Sequence, residues 1–243
     1  MTLRRVHVPP GQIAAGRARL PPAASHYLAE VLRLLAGAEI EVFDGVGGRY
    51  AGRLEPGLET IALGPREDAR GAGMEIALLF ALAKGEKIDL VVQKATELGA
   101  ARIVPFAAER SVVRLVGDRA GERARRWRRI AEEAARQCGR ADVPDVASPL
   151  SLSAALASLA PGAVPVVFHP GGAPVASLAA PGAGGLAAVV GPEGGLTDGE
   201  VAACERAGAL RAGLGPRVLR AETAAIVSVA LLQARFGDLA ALP

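Results

Sequence analysis

The 243-residue sequence is poor in the residues that build metal centres and disulfide frameworks. It contains two cysteines and three histidines, and their wide scatter gives no metal-ligand spacing. Two cysteines fit a reducing compartment better than a disulfide-stapled secreted domain. The longest apolar run, residues 76–83, is too short to cross a bilayer, and residues 1–7 lack the apolar segment of a secretory signal. We therefore expect a cytoplasmic protein with no bound metal and no membrane association.

Lysine is scarce as well, and arginine carries most of the positive charge. Lys84, Lys87 and Lys94 are the only lysines among 28 basic residues. Between residues 102 and 140 there are 11 arginines against 5 acidic residues, a surplus that can follow a phosphate backbone. An arginine- and alanine-rich composition can also produce a merely solvated helix face. Charge alone leaves both interpretations of this basic block open.

Residues 1–70 have the pattern of short strands separated by turns. Strands are predicted at residues 3–8, 40–43 and 50–54, the last two joined by a glycine-rich turn at residues 44–48. One helix is predicted over residues 25–34, with Ser25 as N-cap and an apolar stripe of Leu28, Val31, Leu32 and Leu35. This pattern predicts a compact β-barrel. The glycines at residues 70–73 predict its boundary.

From residue 74 onward, strands alternate with helices. Strands are predicted at residues 76–82, 102–106, 164–168, 186–190 and 210–214, and helices at residues 87–98, 122–138, 198–207 and 224–236. Residues 170–185, rich in proline and glycine, are predicted to be the least regular part. The alternation predicts an α/β domain with a mostly parallel sheet covered on both faces.

Two Gly-Pro turns in this second part are the best candidates for a binding site. Residues 189–196 and residues 214–224 each run from an apolar strand through a Gly-Pro turn to a helix start. The first turn is followed by the capping-box pair Thr197 and Glu200. Ligands of open α/β sheets bind outside the carboxyl ends of the strands, so we expect both turns to hold one small molecule.

Other nucleotide-binding motifs are either absent from the sequence or in the wrong position relative to the predicted strands. The sequence has no phosphate-binding loop of the Gly-x-x-x-x-Gly-Lys type. Gly182, Gly184 and Ala187 match a dinucleotide fingerprint formally, but they precede a strand instead of following one. His169 ends a predicted strand and is a candidate to line the mouth of the site, although a lone histidine is more often structural.

The sequence resembles the bacterial 16S ribosomal RNA (uracil-N3) methyltransferases of the SPOUT class over nearly its whole length. The matching segments are residues 26–33 (HYLAEVLR), 43–45 (FDG), 84–87 (KGEK), 93–99 (QKATELG), 109–110 (ER), 137–140 (QCGR), 168–170 (FHP), 191–195 (GPEGG) and 214–223 (LGPRVLRAET). The resemblance implies a small PUA-like β-barrel RNA-binding domain at residues 1–70. It also implies a methyltransferase domain at residues 74–243, whose mostly parallel sheet contains a trefoil knot, an exception to the rule that chains are unknotted.

The same resemblance implies S-adenosylmethionine as cofactor, N3 of a uridine in small-subunit ribosomal RNA as acceptor, and a homodimer. The implied cofactor-binding residues are Phe168, His169, Gly191, Pro192, Glu193, Gly194, Gly195, Leu214, Gly215, Val218, Leu219, Thr223 and Ala224. The implied RNA-binding residues are Arg4, Arg5, His26, Arg33, Lys94, Arg110, Gln137, Arg140 and Arg217.

The reaction needs a cation for the uracil anion and an acceptor for the N3 proton. Arg220 or Arg217 suits the first role, and Glu97, Glu222 or His169 suits the second, so the catalytic candidates are Arg220, Glu222 and Glu97. A catalytically inert RNA-binding assembly factor on the same scaffold is the alternative. The two intact loops favour the enzyme over the inert factor.

Overall fold

The computed structural model describes residues 4–69, 73–83, 86–111 and 117–241. The chain divides into two compact units. The first contains Met1–Arg70 and Glu132–Val143, and the second contains Gly71–Ala131 and Pro144–Pro243. Residues 70–72 of the predicted boundary and residues 84 and 85 of the 84–87 segment lie outside the described residues.

The first unit is built on a six-stranded sheet. Its strands are β1 (Arg5–His7), β2 (Ile13–Ala14), β3 (Arg17–Arg19), β4 (Glu39–Phe43), β5 (Gly48–Leu54) and β6 (Thr60–Asp68), in the order β1-β4-β5-β6-β3-β2. β1 pairs with β4 in parallel, and the other pairs are antiparallel. The predicted β4–β5 hairpin is confirmed. Its turn is held by Asp44, whose buried carboxylate accepts the Val46 and Gly48 N–H groups at 2.9 and 2.7 Å.

The predicted helix over residues 25–34 is wrong in its first residue, and two residues of its predicted apolar stripe are exposed. Helix α1 (Pro22–His26) begins after Pro21 and continues as a π-helical turn over Tyr27–Val31. Ser25 is therefore inside the helix, and its hydroxyl donates to the Leu58 carbonyl at 2.6 Å. The wider π turn breaks the 3.6-residue spacing. Leu28 stays buried, but Val31 and Leu35 are 62% and 79% exposed.

The second unit contains a seven-stranded sheet in which every strand pair is parallel. Its strands are β7 (Ile76–Ala81), β8 (Arg102–Ala107), β9 (Asp145–Val146), β10 (Leu150–Ser151), β11 (Val164–Pro174), β12 (Leu186–Val190) and β13 (Leu210–Gly213). The order is β10-β8-β7-β12-β11-β13, with β9 also on β8. The helices are α2 (Lys87–Glu97), α3 (Asp118–Cys138), α4 (Leu152–Ala157), α5 (Asp198–Arg206) and α6 (Ala221–Phe236). The last turns of α3 belong to the first unit.

The central strands explain why this sheet was predictable. All five residues of β12 are buried, which is typical of a parallel strand with helices on both faces. The predicted strand at residues 164–168 is too short, because β11 continues to Pro174 through an irregularity between Phe168 and Ala173. The short elements β9, β10 and α4 were not predicted. Because all strands are parallel, their carboxyl ends meet at one edge of the sheet.

Among the described residues, no helix has both the length and the hydropathy to cross a membrane.

Candidate functional site

A cavity of about 480 Å³ opens at the carboxyl edge of the second unit's sheet. It is lined by Arg110 and by residues 168–171, 190–196 and 214–219, together with Ala221 and Ala224. Arg110 follows β8, and residues 168–171 lie in the irregular part of β11. Residues 190–196 end and follow β12, residues 214–219 follow β13, and the last two residues lie in the first turns of α6. The two predicted Gly-Pro turns therefore line one cavity.

The first Gly-Pro turn is compact because its glycines allow backbone atoms to approach closely. A Cβ added to Gly191 would lie 2.9 Å from both the backbone nitrogen and Cγ of Leu196. Gly195 has a positive φ of 70°, and its N–H donates to the Pro192 carbonyl at 2.8 Å. The turn thus contributes mainly backbone atoms to the cavity wall.

The second Gly-Pro turn is exposed and joins β13 to α6. Gly215 has a φ of 90°, and Val218 is 93% exposed at the cavity rim. Arg220 is the extended N-cap residue of α6, with φ −63° and ψ 150°. This cap starts α6 three residues before the predicted start and places the small side chains of Ala221 and Ala224 against the cavity.

The third wall comes from the irregular part of β11. His169 lines the cavity, and its Nδ1 lies 2.9 Å from the Pro170 carbonyl oxygen. Since that nitrogen must donate to a carbonyl, Nε2 is left as an acceptor when the ring is neutral. Gly172 packs directly on the backbone of Ala212 and Gly213, where a side chain has no room.

Two cationic side chains, Lys87 and Arg110, form hydrogen bonds to the first Gly-Pro turn. Lys87 Nζ donates to Glu193 Oε1 at 2.6 Å and lies 3.5 Å from Glu222 Oε2. The hydrogen bond to Glu193, followed by the charges of both carboxylates, raises the pKa of Lys87. Arg110 donates to the Gly194 carbonyl at 2.9 Å. Lys87 was part of a matching segment in the sequence but was not predicted as a site residue; a lysine at a helix start is the signal that could have marked it.

Of the predicted cofactor-binding residues, all but Thr223 line the cavity. Thr223 is exposed in the first turn of α6. The predicted catalytic residues are less close together. Arg220 and Glu222 flank the cavity-lining Ala221 without lining the cavity themselves. Glu97 lies at the far end of α2, where its carboxylate pairs with Lys94 at 2.8 Å, so the structure does not bring it to the cavity.

The predicted RNA-binding residues fall into three groups. Arg110 and Arg217 line the cavity. The first unit exposes Arg4, His26, Arg33 and Gln137. The remaining residues are engaged within the protein. Lys94 forms an ion pair with Glu97, and Arg140 forms one with Asp142 at 2.5 Å. Arg5 is the third.

Arg5 is a structural residue of the first unit. Its guanidinium donates to the carbonyls of Ala135, Arg136 and Arg140 at 3.2, 3.0 and 3.0 Å, and it also pairs with Glu41. These bonds satisfy carbonyl groups at the C-terminal end of α3. Its side chain is only 11% exposed, so the prediction that Arg5 contacts RNA does not fit its surroundings.

The chemistry of the cavity is that of a small-molecule site with few polar groups. Backbone atoms, glycines and apolar side chains form most of its wall, and Glu193, Arg110 and Arg217 supply charge. Among the described residues, no group of histidine, cysteine and carboxylate side chains could hold a metal ion.

Comparison with known proteins agrees with this architecture. A family model described as an RNA methyltransferase domain matches residues 71–233, and one described as an RNA methyltransferase PUA domain matches residues 20–57. A Mycobacterium bovis protein named ribosomal RNA small subunit methyltransferase E is 36% identical over 84% of this chain and 80% of its own length.

Two solved structures share the fold of the whole chain. A Neisseria gonorrhoeae ribosomal RNA small subunit methyltransferase E, bound to S-adenosylmethionine, is 30% identical with a TM-score of 0.85, covering 98% of this chain and 100% of that one. A Legionella pneumophila protein described as a putative methyltransferase, in complex with the same cofactor, is 30% identical with a TM-score of 0.83, covering 97% and 98%.

These matches define the class first: a PUA-like sheet joined to a knotted, parallel α/β methyltransferase domain of the SPOUT class. The predicted fold class is thereby confirmed. Within that class, the chain belongs to the ribosomal RNA small subunit methyltransferase E family.

Proposed function

We propose that the protein is an S-adenosylmethionine-dependent methyltransferase that modifies N3 of a uridine in 16S ribosomal RNA. The observation that carries the proposal is the single cavity shared by both Gly-Pro turns and the irregular end of β11. Its similar solved structures are described as binding S-adenosylmethionine, and its curated relatives are named for the small-subunit ribosomal RNA.

The residues present suit this cofactor. The cavity volume of about 480 Å³ lies within the range of about 300–1,000 Å³ for small-molecule sites. Close packing of Gly191 on Leu196 keeps the turn compact, so that its backbone forms part of the cavity wall. Phe168 and Leu196 supply apolar surface, and Glu193, whose carboxylate is held by Lys87, lines the same cavity. When bound, the cofactor supplies an electrophilic methyl group on a sulfonium.

The chain's own task is to present an electron-rich uracil N3 to that methyl group. We assign Arg217, which lines the cavity, and Arg220, at the start of α6, to stabilise the uracil anion. We assign His169, which lines the cavity with Nε2 left as an acceptor, to take the N3 proton; Glu222 is held by Lys87 and does not line the cavity. Glu97 does not line the cavity and is bonded to Lys94, so we do not assign it this role.

The basic block contributes only part of its charge to RNA binding. Arg102 pairs with Asp145, Arg126 pairs with Asp89, and Arg128 donates to the Val146 carbonyl. Among the described residues, Arg119, Arg123, Arg125 and Arg129 of α3 are exposed and make no ion pair. We assign these four to phosphate contacts, and the exposed residues Arg4, His26, Arg33 and Gln137 of the first unit to the same RNA.

The quaternary state and location follow from the resemblance and the substrate. We propose a homodimer because members of the class act as dimers, and a cytoplasmic location because ribosomal subunits are there. The two units correspond in this proposal to an RNA-binding domain and a catalytic domain.

Calorimetry of the purified protein with S-adenosylmethionine, NAD and ATP tests the cofactor. We expect heat of binding with S-adenosylmethionine alone. Transfer of labelled methyl groups to small-subunit RNA should then fall sharply for Arg220→Ala. Absence of binding would end the proposal, and unchanged transfer would remove Arg220 from the reaction.

A further inference from the structure

The ion pairs around Lys87 connect two walls of the cavity. Glu193 lies in the first Gly-Pro turn, after β12, and Glu222 lies in the first turn of α6, after the second Gly-Pro turn. Lys87 is the first residue of α2 and reaches both carboxylates, at 2.6 and 3.5 Å. The three side chains come from three separate connections at the same edge of the sheet.

The position of Lys87 is not explained by the helix that carries it. A cation in the first turn of a helix is unfavourable, because the N-terminal end already has a partial positive charge. Glu222, in contrast, suits the N-terminal end of α6. The cost at α2 is offset by contact with carboxylates that lie more than 100 residues away in the sequence.

The burial of Glu222 distinguishes this network from an ordinary surface ion pair. The side chains of Lys87 and Glu193 are 31% and 39% exposed, and that of Glu222 is only 13% exposed. Glu222 Oε2 is buried and has no hydrogen-bond partner among the described residues. Removing the lysine would leave this carboxylate buried beside a second carboxylate, which is far more costly than losing an exposed pair.

We propose that Lys87 is a positioning residue that fixes the spacing of the two Gly-Pro turns and thereby sets the affinity for S-adenosylmethionine. This inference rests on the proposed function of the cavity. Lys87 acts through Glu193 and Glu222 and does not line the cavity itself. It should therefore affect cofactor binding much more than the rate of methyl transfer at saturating cofactor.

The test compares Lys87→Met, Lys87→Arg, Glu193→Gln and the double variant Lys87→Met/Glu193→Gln by calorimetry. Both S-adenosylmethionine and its neutral product S-adenosylhomocysteine are titrated. We expect Lys87→Met to weaken binding of both by about tenfold, a typical coupling between contacting residues. Lys87→Arg should recover part of the loss, and the double variant should bind no more weakly than Lys87→Met. The kcat at saturating cofactor should stay near the wild-type value.

Arg211→Met is the matched control. Arg211 forms a 2.7 Å pair with Glu205 in the same unit and does not line the cavity. The Arg211→Met variant should therefore bind both ligands as the wild type does. The inference would be overturned by any of three results: wild-type affinity in Lys87→Met, additive losses of affinity in the double variant, or a loss of affinity for S-adenosylmethionine alone. If Lys87→Met does not fold, Glu193→Gln must by itself weaken both ligands, and its failure to do so also overturns it. A wild-type protein that binds neither ligand would instead refute the proposed function.

Discussion

Gly191 is the residue at which the cavity depends most directly on the absence of a side chain. Because its Cβ would lie 2.9 Å from the Leu196 backbone nitrogen, Gly191→Ala must displace the turn or the start of the helix that follows. We expect the affinity for S-adenosylmethionine to fall about tenfold or more, since a shift of about 1 Å costs far more than one lost contact. Calorimetry of the variant measures this loss.

Gly199→Ala is the control for that substitution. Gly199 lies in the first turn of α5, and the nearest atom to an added Cβ is 3.8 Å away. Alanine is a better helix former than glycine, so this variant should bind the cofactor normally and be slightly more stable. Equal effects of the two substitutions would show that the close approach at Gly191 is unimportant.

The two cysteines should differ strongly in reactivity. Burial, followed by the charges of Glu200 and Glu205, raises the pKa of Cys204 to about 11, whereas Cys138 is exposed. At pH 8 only about one thousandth of Cys204 is then thiolate. A disulfide-exchange reagent should titrate one thiol per native chain rapidly and two per unfolded chain; two rapid thiols in the native protein would contradict the burial of Cys204.

The same shift fixes the sign of a pH effect on stability. The folded state favours the neutral Cys204 thiol, so its contribution to the free energy of unfolding is complete below the ordinary thiol pKa of about 8.5. That contribution is lost as the pH rises through about 11. Cys204→Ala should reduce this alkaline loss in urea titrations performed across that range.

At the scale of elements, the start of α5 is stabilised both by its own capping box and by a bond to the segment after β8. Thr197 caps the helix by accepting the Glu200 N–H, and the buried Glu200 carboxylate accepts the N–H groups of Thr197 and Glu109, both at 2.8 Å. We expect Thr197→Ala to lower the free energy of unfolding by about 1 kcal/mol. Glu200→Ala should cost about 2–3 kcal/mol, because two bonds to a charged acceptor are lost.

Urea denaturation measures both values, with Ser151→Ala as the reference for a simple cap. Ser151 makes one capping bond to the Ala154 N–H of α4 and should resemble Thr197→Ala. If Glu200→Ala is no more destabilising than these two, the bond to Glu109 contributes nothing to stability.

The elements that sequence patterns predicted well are those whose local signals agree. β12 is a short apolar run flanked by glycine, and α5 has a complete capping box, so both were predicted to within a residue or two. Helix α1 was predicted poorly because the spacing of apolar residues does not reveal the π turn after His26. The pairing of Arg5 with the end of α3 and of Lys87 with Glu193 joins residues more than 100 positions apart, which single-sequence patterns do not encode.

At the scale of the whole molecule, the exposed arginines of α3 should determine how RNA binding depends on salt. Each phosphate neutralised on a single strand contributes about 0.7 to the slope of log K against log salt concentration. We expect Arg125→Gln/Arg129→Gln to lower that slope by about 1 to 2, and Arg211→Gln to leave it unchanged. Fluorescence titration against a small-subunit RNA fragment at several salt concentrations measures it. An unchanged slope would mean that this helix face is only solvated.

The central chemical step that we propose is transfer of a methyl group by the second unit from S-adenosylmethionine to N3 of a uridine. The most direct measurement is incubation of unmodified small-subunit RNA or subunits with the protein and labelled cofactor, followed by nucleoside analysis of the product. We expect label in 3-methyluridine, at a yield greatly reduced by Gly191→Ala. Label in another nucleoside, or none from a protein that binds the cofactor, would contradict it.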